Sequence, residues 1–136
     1  MEINPVKEYI KNNDTDIIVY SGVISMDGYH QFCEKIPEKI KRKKNLLLVL
    51  CTYGGSPDAG YRIARAAGHY YSPKNFSILI PDVCKSAGTL VCIGANRLIM
   101  MDKGRIVLDK AGEEKQNTKI DDILYQFNQI SIECGN

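Results

Sequence analysis

The chain alternates short apolar runs with longer stretches whose apolar residues recur at helical spacing. Asp16 to Val23 (DIIVYSGV), Asn45 to Cys51 (NLLLVLC), Phe76 to Ile80, Arg97 to Met101 (RLIMM) and Arg105 to Asp109 (RIVLD) have the length and β-branched content of strands. From Ser25, a suitable N-cap, apolar residues return at Met26, Tyr29, Phe32 or Cys33, and Ile36 until Pro37 interrupts. A second helix is predicted after Ser56-Pro57. It turns Ala59, Ile63, Ala66, Ala67 and Tyr70 towards a core, leaves Arg62 and Arg65 to solvent, and stops near Ser72-Pro73. The small apolar run Ala87 to Ala95 reads as a buried helix, and Ile120 to Ile132 carries another helical stripe through Ile123, Leu124, Phe127 and Ile130. Residues 1–15 read as a polar lead-in, Asp102-Lys103-Gly104 as a turn, and Lys110 to Asn117 as a charged, turn-like connection. Strands alternating with helices predict an α/β fold, a single domain over residues 1–136 with a C-terminal helix at 118–134.

Composition narrows the class. A chain of 136 residues can bury a core without staples. Its formal charge of +2 gives no reason to expect a nucleic-acid partner. Lys39 to Lys44 (KIKRKK) is a short basic run that reads as a solvated helix end rather than a phosphate site. The five cysteines are odd in number and lack metal-type spacing, so they read as thiols of a cytoplasmic protein with no metal and no cofactor. No apolar run approaches the roughly 18 to 20 residues of a membrane span, and no signal peptide opens the chain.

Two strand-to-helix junctions carry the candidate chemistry. The first is Thr52-Tyr53-Gly54-Gly55-Ser56-Pro57, where two glycines permit positive φ before a capped helix. Such a turn leaves bare backbone N–H groups, the donors an acyl-transfer enzyme aims at an oxyanion. The second is Lys85-Ser86-Ala87-Gly88-Thr89. Ser86 there suits either an N-cap or a nucleophile, with its hydroxyl near a helix N-terminus and small residues beside it.

Taken together, LLVLCTYGGSPDAGYRIARA and VCKSAGTLVCIGANRLIMM resemble the ClpP/crotonase superfamily, and most closely the serine dehydrogenase proteinase family, a relative of SppA and of the Clp protease proteolytic subunit. The resemblance runs from Ile17 to Asp109. It implies a spiral of repeated ββα units and a serine peptidase-like hydrolase that forms an acyl-enzyme on Ser86. It also implies the N–H groups of Gly55 and Ala87 as the oxyanion hole, Gly54 as a substrate-binding position, a peptide or protein substrate, and a homo-oligomer. Crotonase-type acyl-CoA chemistry is a weaker alternative, since no adenine-pocket signature accompanies it.

The base is where the chain departs from these relatives. In the Clp protease subunit a histidine ends the strand after the serine helix. Overlaying GRIVLD on that segment puts Asp109 at or beside the position. SppA-like enzymes use a lysine, for which Lys110, Lys115 and Lys119 are the candidates, with Lys110 or Asp109 preferred. Lys85, next to Ser86, is expected to face solvent or a neighbouring subunit. His30 and His69 are the only histidines, and neither is marked for catalysis. A serine hydroxyl without a base is a weak nucleophile. The rival reading is therefore a ClpP-like scaffold or assembly module that keeps the fold without the chemistry.

Overall fold

The computed structural model describes residues 11–118, together with Glu8 and Asp122. Five strands form one sheet in the order β1-β2-β3-β4-β5: β1 (Thr15–Ser21), β2 (Asn45–Cys51), β3 (Phe76–Ile80), β4 (Arg97–Asp102) and β5 (Arg105–Ala111). The first four are parallel and β5 turns back antiparallel. Helices α1 (Met26–Lys35), α2 (Pro57–Tyr71) and α3 (Ala87–Ile93) connect the parallel strands, and α4 (Gly112–Asn117) follows β5. Crossovers between neighbouring parallel strands are right-handed as a rule, which carries the connecting helices to one face.

Strand register explains the alternating burial. Ile18, Leu48, Ile78 and Leu98 form one row across the sheet, at 4% exposure or less. With Phe32, Ile63 and Val91 from the helices they make the core, each side chain of this size contributing about 1.5–3 kcal/mol on burial. The next row, Val19, Val49, Leu79 and Ile99, points to the opposite face and stays half-exposed, with Val19 at 55%. The period of two in side-chain direction separates these rows.

Beyond the carboxyl ends of β1, β2 and β3 the chain makes a second, minimal pairing. Ile24 bridges Gly55 and Thr52 bridges Cys84, both parallel. The second strand of each ββα unit is thus shortened to single residues, and these bridges fasten successive loops together just before their helices begin.

Several elements differ from their expected bounds. Tyr71, not Tyr70, enters the core from α2; its phenol donates to Asp16 Oδ2 at 2.8 Å, while Tyr70 stays 40% exposed. Burial and the Asp16 carboxylate push the Tyr71 phenol up from its ordinary value. The basic run Lys39 to Lys44 is a turn rather than a helix end, because α1 stops at Lys35 ahead of Pro37. The segment after β5 contains the short helix α4 instead of turns alone, with Glu113 and Glu114 in its first turn. The expected helix from Ile120 to Ile132, and Lys119 with it, lies outside the described residues. No helix among the described residues is long and apolar enough to cross a membrane.

Candidate active site

The loops after β2 and β3 meet because their backbones are tied directly. Thr52 N–H donates to Val83 O at 3.0 Å and Lys85 N–H donates to Thr52 O at 3.1 Å. This brings Gly54 against Ser86 so closely that a Cβ on Gly54 would lie 2.6 Å from Ser86 Cβ and 3.1 Å from its Oγ. Gly54 and Gly55 both have positive φ, +115° and +146°. Glycine is needed here for conformation and for clearance.

Ser86 itself has φ 52° and ψ −121°, a backbone region that disfavours residues with a Cβ. It occupies the N-cap position of α3, yet its side chain makes no capping bond, and it is exposed. The cap work falls to backbone and neighbours: Gly88 N–H donates to Lys85 O at 3.0 Å, Thr89 N–H to Ser86 O at 2.9 Å, and the Thr89 hydroxyl also donates to Ser86 O. By contrast Ser25 and Ser56, the caps of α1 and α2, accept from Gly28 N and Ala59 N at 3.0 and 3.3 Å. The hydroxyl of Ser86 has no hydrogen-bond partner among the described residues.

The backbone donors nearby divide into two kinds. Both polar groups of Gly54 are engaged within the chain: its N–H donates to Thr52 Oγ1 at 3.0 Å and its carbonyl accepts from Ile24 N–H at 2.9 Å. Gly54 therefore offers a ligand space rather than a free N–H group. The N–H groups of Gly55 and Ala87 find no acceptor among the described residues. Thr52, buried and holding both neighbouring loops, is a positioning residue to which sequence reading gave no role. Its place two residues before Gly54 was the available signal.

The expected bases are engaged in contacts of their own. Asp109 pairs with Ile99 and Lys110 with Leu98 in the antiparallel ladder, in line with Leu79 and Ile78 of β3, and Ser86 lies in the loop past the carboxyl end of β3. Arg97 grips the Asp109 carboxylate with two hydrogen bonds of 2.9 and 2.8 Å. That bond holds the Asp109 carboxyl below the usual carboxylate range, the opposite of what a general base needs. Lys110 is paired with Glu114 at 2.7 Å. Lys115 is pushed below the ordinary lysine value by burial, but it donates to Ile93 O at 3.1 Å. That contact is at the far end of α3, about 10 Å of helix from Ser86.

The remaining candidates are also accounted for. The Lys85 ammonium sits over the Tyr53 ring, 5.6 Å from its centroid. His30 packs on Tyr29 and His69 on Tyr70, both rings borne by exposed residues of α1 and α2. Cys33, Cys51, Cys84 and Cys92 are free thiols. Cys84 and Cys92 are buried with their sulfurs 3.8 Å apart. Their mutual hydrogen bond, with burial, pushes the Cys92 thiol well up. No cluster of three metal-ligating side chains occurs among the described residues.

The fold is similar to that of solved protease structures. The chain is similar to the ClpP protease catalytic domain from Plasmodium falciparum, with 14% identity and a TM-score of 0.51 over 96% of this chain and 71% of that one. It is likewise similar to a ClpP1 mutant from Listeria monocytogenes, with 14% identity and a TM-score of 0.50 over 94% and 75%. The chain has a ClpP-type fold. No protein-family model and no curated protein matches the sequence. At this identity the likeness is one of fold, and the chemistry rests on the residues themselves.

Proposed function

We propose that the chain is a serine peptidase-like hydrolase of the SppA and serine dehydrogenase proteinase type, acting on peptide or protein substrates through an acyl-enzyme on Ser86. The observation that carries this reading is the state of Ser86, an exposed serine held at positive φ, at a helix cap it does not use, against a glycine that has no Cβ. Strain of about 1–3 kcal/mol at such a residue is characteristic of functional positions. In the step proposed, Ser86 Oγ attacks the substrate carbonyl carbon. The developing oxyanion takes hydrogen bonds from the N–H groups of Gly55 and Ala87, and the leaving group departs as the acyl-enzyme forms. The serine proton goes to solvent base and a solvent proton goes to the leaving group, since Asp109 is held by Arg97 and Lys110 by Glu114. Donors with good leaving groups are therefore the substrates that react readily.

The rival is a non-catalytic ClpP-like scaffold, and the Arg97–Asp109 fork favours it, because the position expected to hold the base is committed to an ion pair. Self-association belongs to either reading. A parallel sheet is ordinarily covered on both faces, and the row from Val19 to Ile99 is not covered by α1–α3. A single-domain, cytoplasmic protein with no metal or cofactor completes the proposal; the free thiols support that compartment.

A fluorophosphonate probe followed by mass spectrometry tests the hydrolase. Labelling of the wild type that disappears in Ser86→Ala supports it, and turnover of a peptide ester by the wild type alone extends it. Equal labelling of the two proteins overturns it and leaves the scaffold.

A further inference from the structure

Apart from the Ser86 junction, the described residues form an open groove between the outer faces of α1 and α2, with a volume of about 590 Å³. That falls within the roughly 300–1,000 Å³ of small-ligand sites. Its wall on α2 is a single helical face, since Asp58, Tyr61, Arg62, Arg65, His69 and Tyr70 recur at spacings of three and four. Tyr29 of α1 faces them. The groove is thus a row of tyrosine rings interleaved with cations, and Asp58 is the one acidic residue that lines it.

The cations here are not neutralised. Among the described residues neither Arg62 nor Arg65 is paired with a carboxylate, the ion pairs being Arg97–Asp109 and Lys110–Glu114. Arg65 instead donates to the Tyr61 hydroxyl at 3.3 Å, which fixes that ring beside the charge while Tyr61 stays 59% exposed. Positive charge continues past the end of α2. Arg42, from the basic run Lys39 to Lys44, lies over the Tyr70 ring at 4.9 Å and donates to Tyr70 O at 3.4 Å. The balanced charge of the whole chain conceals this stripe.

We infer that the α1–α2 groove binds a nucleotide, with a base against the tyrosine rings and phosphate on Arg62 and Arg65. Cations alone would serve any carboxylate-rich segment. Exposed flat rings set between guanidiniums add a surface on which a base stacks, and Arg presents the planar fork that matches phosphate. The ligand is either a free mononucleotide or one unit of a single strand, and both present the same chemistry. The site is independent of acyl transfer at Ser86.

Fluorescence anisotropy with mant-ADP and with a fluorescein-labelled oligoadenylate tests this on the full chain, with Ser86→Ala as a variant whose binding is unchanged. Saturable binding of mant-ADP assigns a mononucleotide, and binding of the oligoadenylate alone assigns a single strand. In either case Arg62→Ala with Arg65→Ala, and separately Tyr61→Ala, weaken binding about tenfold or more. These side chains are exposed, so circular dichroism of the variants should match the wild type. The inference is overturned if neither probe binds, if the variants bind as the wild type does, or if polyglutamate displaces the probes as well as unlabelled ADP. The last result would show an acidic-segment surface instead.

Discussion

Gly54 and Ser86 are so close that only one of them can carry a Cβ: one placed on Gly54 would stand 2.6 Å from that of the serine. The two residues are far apart in sequence and are joined by the bridge between Thr52 and Cys84.

Replacing Gly54 by alanine therefore acts on Ser86. The substitution meets a φ of +115° as well as the serine Cβ, and its cost in stability is about 1–3 kcal/mol. Displacement of Oγ by an ångström slows acylation by roughly a hundredfold. Chemical denaturation and the rate of fluorophosphonate labelling measure the two effects. Wild-type labelling by Gly54→Ala would show that the loop does not position Ser86.

Ser86→Gly separates strain from chemistry. Glycine adopts φ 52°, ψ −121° freely, and the serine hydroxyl caps nothing. The variant is expected to be more stable than wild type by about 1 kcal/mol, after the larger unfolded-state entropy of glycine is allowed for. It should also lose all labelling. An unfolding midpoint below that of the wild type would contradict a strained nucleophile.

Asp109→Asn tests the base from the other side. Arg97 lowers the Asp109 carboxyl in the folded state, so the pair contributes stability above the unfolded carboxylate value, and that contribution is lost as pH falls through the lower folded value. The wild-type advantage over Asp109→Asn should shrink to nothing as pH drops below about 4. At neutral pH it stays under about 1 kcal/mol, because both side chains are more than a third exposed. Labelling at Ser86 should be unchanged. A large loss of labelling would restore Asp109 to the site.

The sheet face that α1–α3 leave open makes a prediction about assembly. Val19 is 55% exposed in a row of half-buried apolar residues. Sedimentation of the wild type at tens of micromolar is expected to show an oligomer, and Val19→Lys to shift it towards monomer by placing charge in the interface. A monomeric wild type would mean that the chain covers this face itself.

How much of this was legible in the sequence depended on the range of the interaction. The strands, two capped helices and both junctions follow from local signals such as the NLLLVLC run, Ser56-Pro57 and Gly54-Gly55. Burial of Tyr71 rather than Tyr70 did not, because it depends on Asp16, 55 residues earlier in the chain. The surroundings of Asp109 were hidden for a related reason. Its position at the end of a strand was visible, but its ion pair with Arg97, 12 residues earlier on β4, was not. The aromatic and cationic face of α2 was legible only as solvent-facing arginines, since the tyrosine that completes the groove comes from α1.

The order β1-β2-β3-β4-β5 has a consequence for how the molecule is built. Every strand docks on the one that precedes it in the chain, so no strand must wait for a later segment before it can pair. A ribosome releasing the chain from its amino end delivers each strand to an edge that is already in place, and the nascent sheet grows in the direction of synthesis. Sheets whose central strands come last lack this possibility, because their early strands remain unpaired and adhesive until the end of translation.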